Sequence, residues 1–191
     1  MSTPTSLLAY NLLHMEIVKY ETECVEKINN KKKEWLFKKN GEMEAFGTLR
    51  QEDPVINQLF TQGSVETRLE AIGFRIGQTI CEKVAKDTNR LSSSLETMKF
   101  ICRDFWSYVF SKQADNLKTN NQGIFVIFDN KFAFLINFSH GKQFVSKSGN
   151  FLALPSGIIR GALHSLNIKA VVTASTETLP AAKFQIHLQS S

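Results

Sequence analysis

Two glycines four residues apart, Gly73 and Gly77, sit inside a stretch that otherwise reads as one continuous helix, RLEAIGFRIGQTICEKV (68–84). Val65, Leu69, Ile72, Ile76, Ile80 and Val84 recur every three or four positions, the spacing that lines one helix face. Each interior glycine costs about 0.8–1 kcal/mol relative to alanine, because it gives up more backbone freedom on folding. Residues i and i+4 share a face, so Gly73, Gly77 and Cys81 form a shallow groove that admits another backbone. The oddity recurs at Gly157 and Gly161, followed by Ala162. A close helix crossing, within the chain or between subunits, explains such pairs; a ligand pocket lined by backbone is the alternative. In lipid the same spacing marks a dimerisation seam, but Arg68, Glu70, Arg75 and Glu82 exclude a membrane-spanning helix here.

Around this seam the periodicity predicts an α+β layout. A first helix runs from about Thr5 to Lys27, with Ser2, Thr3 and Thr5 as caps. Its apolar residues (Leu7, Leu8, Tyr10, Leu12, Leu13, Met15, Ile17, Val18, Tyr20) cover more than the single stripe a surface helix needs. The stretch from Lys27 to Ser64 breaks the pattern with Asn-Asn, Lys-Lys-Lys, Asn-Gly and Asp-Pro signals, so it reads as a basic loop insertion, at about 28–64, in a single domain spanning 1–191. Helix two is predicted over Val65 to Asp87, helix three over Ser94 to Lys112 and helix four over Phe151 to Leu166, with Pro155 near its start. Between them DNLKTN, GIFVIF and KFAFLINF read as strands, the last two joined by a tight turn at Asp129-Asn130, with Phe125, Ile127, Phe132, Phe134 and Ile136 facing the core. IKAVVTAS and KFQIHLQ are the closing strands.

The net charge of +5 invites a nucleic-acid or membrane reading, but the excess is local. Six lysines between Lys27 and Asn40 face one acid, Glu34, and the remainder of the chain balances seventeen against seventeen. The N-terminus lacks a signal peptide's basic start and cleavage site, and no run of eighteen apolar residues occurs, which predicts a cytosolic protein. Cys24, Cys81 and Cys102 are odd in number and far apart, and each lies in an apolar helical pattern, as packed reduced thiols do.

Catalytic chemistry needs a nucleophile beside a base, paired carboxylates or ligands at metal spacing, and none of these patterns occurs. His14, His140, His164 and His187 are scattered, and HGKQ lacks the upstream glycine and the hydroxyl of a phosphate loop. Ser156 in PSGIIRG is no nucleophile elbow. QGIFVIFDN (122–130) approaches the aromatic strand of an RNA recognition motif, yet Gln122 replaces its basic residue, Ile124 replaces its first aromatic and one residue is missing. A one-residue slip turns the aromatics to the other sheet face. The expectation is therefore no enzyme, no cofactor and no metal.

MKFICRDFWSYVFSKQADNLKTNNQGIFVIFDNKF (98–132), with LEAIGFRIGQTICEKVAKDT, GIIRGALHSLNIKAVVTA and LPAAKFQIHL, resembles the TRAPP small-subunit family, and within it the subunit 6 branch. The resemblance covers the first helix and everything from about Val65 to Gln189. It implies four main helices packed on one face of a twisted antiparallel β-sheet. It also implies a non-catalytic structural subunit of a vesicle-tethering, Rab nucleotide-exchange complex, cytoplasmic and peripheral at Golgi and endoplasmic reticulum membranes. In that family helices one and two carry the surface on which two different small subunits pair. The implied partner is of the subunit 3 type, with a homodimer when isolated and no nucleic acid.

On that basis the expected subunit interface is Leu8, Leu12, Met15, Val18, Leu69, Ile72, Gly73, Ile76, Gly77 and Ile80. Two departures from the family pattern stand out. The partner-type subunit carries an acylated cysteine between helices two and three, where this chain has Leu91. The insertion is longer than the usual connection, and Lys31, Lys32, Lys33, Trp35, Lys38 and Lys39 in it are candidate membrane contacts, against the plainer reading of a solvated loop. Rival readings are an RNA-binding module using strand aromatics and the lysines, or a carrier of a small apolar ligand beside the glycine seams.

Overall fold

A computed structural model describes residues 4–42, 63–86, 88, 91–120, 122–136 and 148–189. Helix α1 spans Pro4–Glu42 and α2 spans Val65–Ala85. Three successive segments, Ser94–Phe100, a π-helical stretch Ile101–Phe105 and Trp106–Phe110, run on as one rod, α3 (94–110). Strands β1 (Asn116–Thr119) and β2 (Ile124–Asp129) follow, then α4 (Ser148–Ser165), β3 (Ala170–Ser175) and β4 (Ala182–Leu188). The four strands form one antiparallel sheet in the order β1-β2-β4-β3.

Register explains how the sheet acquires one dry face. Phe125 pairs with Ile186 and Ile127 with Phe184, while Val172 also pairs with Ile186, so these five lie on one side. All are buried against the helices. Trp106, Phe110, Phe132, Phe134 and Phe184 form a continuous aromatic cluster at the centre, with neighbouring ring centroids 4.7–6.3 Å apart. Edge-to-face and tilted pairs of this kind add stability beyond the area they bury. The polar end of the cluster is closed by Asp129, wholly buried, which accepts from Trp106 Nε1 at 3.0 Å and from the Lys131 amide at 3.0 Å. Lys112 Nζ lies 2.6 Å from its other side and supplies the counter-charge a buried carboxylate requires.

The glycine seam is intramolecular and reciprocal. A Cβ on Gly73 would strike the Leu154 carbonyl oxygen, and one on Gly77 that of Ile158. Gly157 and Gly161 likewise press on the carbonyl oxygens of Glu70 and Phe74. Helices α2 and α4 therefore run in the same direction with their backbones in direct contact, each glycine pair seated on the other helix's carbonyls. The most buried stripe of α2 is accordingly Leu69, Gly73, Gly77 and Cys81, and the isoleucines flank it.

Three expectations are corrected. The backbone stays helical to Glu42, so the segment from Ile28 onward begins as helix and not as loop, and residues 43–62 lie outside the described residues. Lysine and glutamate are good helix formers, and they outweigh the Asn29-Asn30 signal. The Asp129-Asn130 hairpin does not form: Lys131–Ile136 is a turn in which Phe132, Ala133, Phe134 and Leu135 are buried in succession and Ile136 is exposed. The Asp129 carboxylate is engaged as described, the Phe132 amide donates to the Pro180 carbonyl, and β4 takes the place beside β2. Pro155 lies well inside α4, because the helix begins at Ser148. Proline has no N–H to donate to the carbonyl one turn back, a cost in a helix interior.

Candidate subunit interface

Helix α1 turns a polar side toward the body. Asn11, His14 and Glu21 are buried there with Val18. Asn11 Nδ2 donates to the Ala133 carbonyl at 3.2 Å, and the His14 ring stacks on Phe134 at 4.0 Å. Glu21 accepts from Arg68 of α2, the ion pair that ties the two helices. Burial pushes the His14 imidazole down to about 4, and the Phe151 backbone pulls the other way. Neither ring nitrogen has a well-aligned hydrogen bond, so the ring is held neutral as an aromatic plate.

The outward side of α1 displays large apolar side chains among the exposed charges Glu16, Lys19 and Glu23. Leu8 and Leu12 are each 54% exposed and Met15 40%, one turn apart along a single stripe, with Leu13 and Tyr20 exposed beside it. A lone exposed leucine carries no information, but a helix that buries histidine, asparagine and glutamate while exposing leucine is inverted relative to a monomer's needs. On α2 the half-buried Ile72, Ile76 and Ile80, with Arg75 and Thr79, line a shallow open groove of about 400 Å³. The Arg68–Glu21 pair sets the two helices side by side, so groove and stripe lie on adjoining elements.

The expected interface residues thus divide. Leu8, Leu12 and Met15 are displayed, and Ile72, Ile76 and Ile80 border the groove. Val18, Leu69, Gly73 and Gly77 belong to the chain's own core, Val18 beneath α1 and the other three against α4, and that part of the expected set is corrected. Leu13, Tyr20, Arg75 and Thr79 join the surface unforeseen. Asn11, His14 and Glu21, at helical spacing with Val18 among them, are the available sequence signal for which side of α1 faces inward.

Other candidate chemistry falls away on geometry. Burial pushes the Cys81 thiol up to about 11 and Cys102 to about 12, so neither is a ready nucleophile. Among the described residues no group of His, Cys, Asp or Glu is placed to hold a metal ion, and no helix is long and apolar enough to cross a membrane. Phe125 and Ile127 point into the core, leaving Phe128, flanked by Lys118 and Lys183, as the aromatic on β2's open side. The backbone contacts fill the glycine seam, with a carbonyl oxygen where each of the four glycines would carry a Cβ. Leu91 is half-buried against the core, a hydrocarbon where an acylated subunit would need a thiol. Lys31 and Lys33 are exposed on α1; the backbone of Lys32, Trp35, Lys38 and Lys39 is helical, and their side chains lie outside the described residues.

Comparison with known proteins agrees with this architecture. The family model described as "Transport protein particle (TRAPP) component" matches residues 10–189. Trafficking protein particle complex subunit 6B of Mus musculus is 51% identical over 133 residues, covering 67% of this chain and 84% of that protein. Subunit 6A of Homo sapiens is 43% identical over 123 residues, 64% of this chain and 77% of that one. Among solved structures, a trafficking protein particle complex subunit 3 from Naegleria fowleri, covalently bound to palmitic acid, superposes with a TM-score of 0.57 at 15% identity, over 71% of this chain and 89% of that one, a likeness of fold. The chain belongs to the transport protein particle (TRAPP) component family, in its subunit 6 branch, and is a component of a trafficking assembly and not an enzyme.

Proposed function

We propose that the chain is an architectural subunit of a TRAPP complex that pairs with a second small subunit, of the subunit 3 type, through the outward stripe of α1 and the groove of α2. The observation that carries this reading is the inversion of α1, with Leu8, Leu12 and Met15 facing outward while Asn11, His14 and Glu21 face the body. Covering that stripe and the Ile72–Ile76–Ile80 groove removes apolar surface from water, the main driving force of stable association. Obligate interfaces commonly bury more than about 2,000 Å² with an apolar centre, which suits two adjoining helices presenting leucine and isoleucine.

The mechanism is positional. Nucleotide exchange on a Rab-type GTPase, and tethering of vesicles between endoplasmic reticulum and Golgi, belong to a surface that several subunits build together, and this chain holds its partner in place within it. The isolated chain has no exchange activity of its own in this reading, and it associates with itself through the same stripe when no partner is present. Co-purification tests it. Leu12→Glu and Ile76→Glu are each expected to abolish pairing with a subunit 3 type protein while leaving the circular dichroism spectrum unchanged. Normal pairing by both variants would overturn the assignment.

A further inference from the structure

We propose that the far part of α1, residues 26–42, is an arm that lies on an anionic membrane surface. The inference is independent of the pairing stripe, which occupies Leu8 to Tyr20. From Glu26 to Lys31, and again at Lys33, every described side chain is exposed, so the helix has left the body by that point while its backbone continues to Glu42. Seventeen residues of helix reach roughly 25 Å. Helices in proteins owe most of their stability to a packed face, and the described side chains from Glu26 to Lys33 have none within the chain.

The helical register shows which surface it suits. At roughly 100° per residue, Lys27, Lys31 and Lys38 share one side, Lys32 and Lys39 lie beside them, and the positions of Ile28 and Trp35 fall between the two groups. Glu42 lies in that sector and Glu34 borders it beside Lys27, so five lysines there face two acids; Glu26, Asn29, Asn30, Lys33 and Asn40 lie away from it. As a loop the lysines would be a diffuse cloud, but as a helix five of the six become a charged strip with an aromatic and an aliphatic position along its middle. A polynucleotide would use the charges and leave Ile28 idle. A bilayer containing acidic lipids offers phosphates to the lysines, whose stems lie along the surface, and a headgroup boundary suited to tryptophan.

The test uses the full chain with vesicles of phosphatidylcholine alone and vesicles that also contain phosphatidylserine, read by co-flotation. The expected result is binding to the acidic vesicles, weakened by salt, and none to the neutral ones. The triple variant Lys27→Glu, Lys31→Glu, Lys38→Glu should lose about tenfold or more in affinity while keeping the wild-type melting temperature, because the described side chains of this arm are exposed. Acidic vesicles should also shift tryptophan emission to the blue in the wild type. Trp106 is buried and bonded to Asp129, so the shift reports Trp35 and should vanish in Trp35→Phe. Equal binding to neutral vesicles, undiminished binding by the triple variant, or binding of RNA oligonucleotides without binding of acidic vesicles would overturn the proposal.

Discussion

A single hydrogen atom is what Gly73, Gly77, Gly157 and Gly161 each leave between two backbones, and the obstacle to anything larger is a carbonyl oxygen that cannot rotate aside. Gly73→Ala or Gly157→Ala should therefore destabilise the fold by more than about 2 kcal/mol, at the upper end for an overpacked site, despite alanine's better helix propensity. Gly149→Ala is the internal control: nothing lies within 4 Å of an added Cβ there, so its urea midpoint should stay within about 0.5 kcal/mol of the wild type or rise slightly. His14 gives a pH signature. Its folded pKa is lowered to about 4 from 6.5, so between those values the unfolded chain binds the extra proton and stability falls as pH falls. The loss amounts to about 3 kcal/mol across that window and is absent above pH 6.5. Urea melts at pH 7 and pH 5 should show His14→Phe less sensitive to acid than the parent.

At the level of elements, α1 and α2 behave differently under the same kind of substitution. Leu12→Glu places a charge on a side chain already 54% exposed, and its thermal midpoint should hardly move while pairing is lost; Leu69→Glu buries an unpaired charge in the core and should prevent folding. This contrast also shows how much was legible beforehand. That the first helix has more apolar positions than one stripe needs was legible, but period alone could not separate exposed Leu12 from buried Val18, since both fall on apolar stripes. The polar residues Asn11, His14 and Glu21 hold that information, against the default that polar side chains face water. The seam was legible as a close crossing, and its owner, α4 of the same chain, was not, because small residues at i and i+4 signal proximity without naming the neighbour. The failed hairpin after Asp129 has a different cause. Alternating Phe132 and Phe134 mimic a strand, yet Ala133 and Leu135 between them are equally buried, and only the Trp106 and Lys112 contacts, from distant sequence, decide where β2 stops.

Over the whole molecule, a sheet dry on one face and four helices were readable from the change of period after Lys112, while the true length of α1 was not, since lysine-rich sequence looks alike in a solvated loop and a projecting helix. The decisive measurement at this scale is mass by light scattering. The chain alone should self-associate, and equimolar addition of a subunit 3 type partner should convert it to a one-to-one pair. A monodisperse monomer that ignores the partner would remove the basis of the pairing reading. The parallel seam between α2 and α4 has one more consequence, in the order of events during synthesis. Its two halves lie on either side of the β1–β2 hairpin in the chain, so the ribosome must deliver Leu154 and Ile158 before α2 finds the carbonyls it rests on. Until then the glycine side of α2 has no neighbour, and a nascent copy is prone to aggregation during that interval.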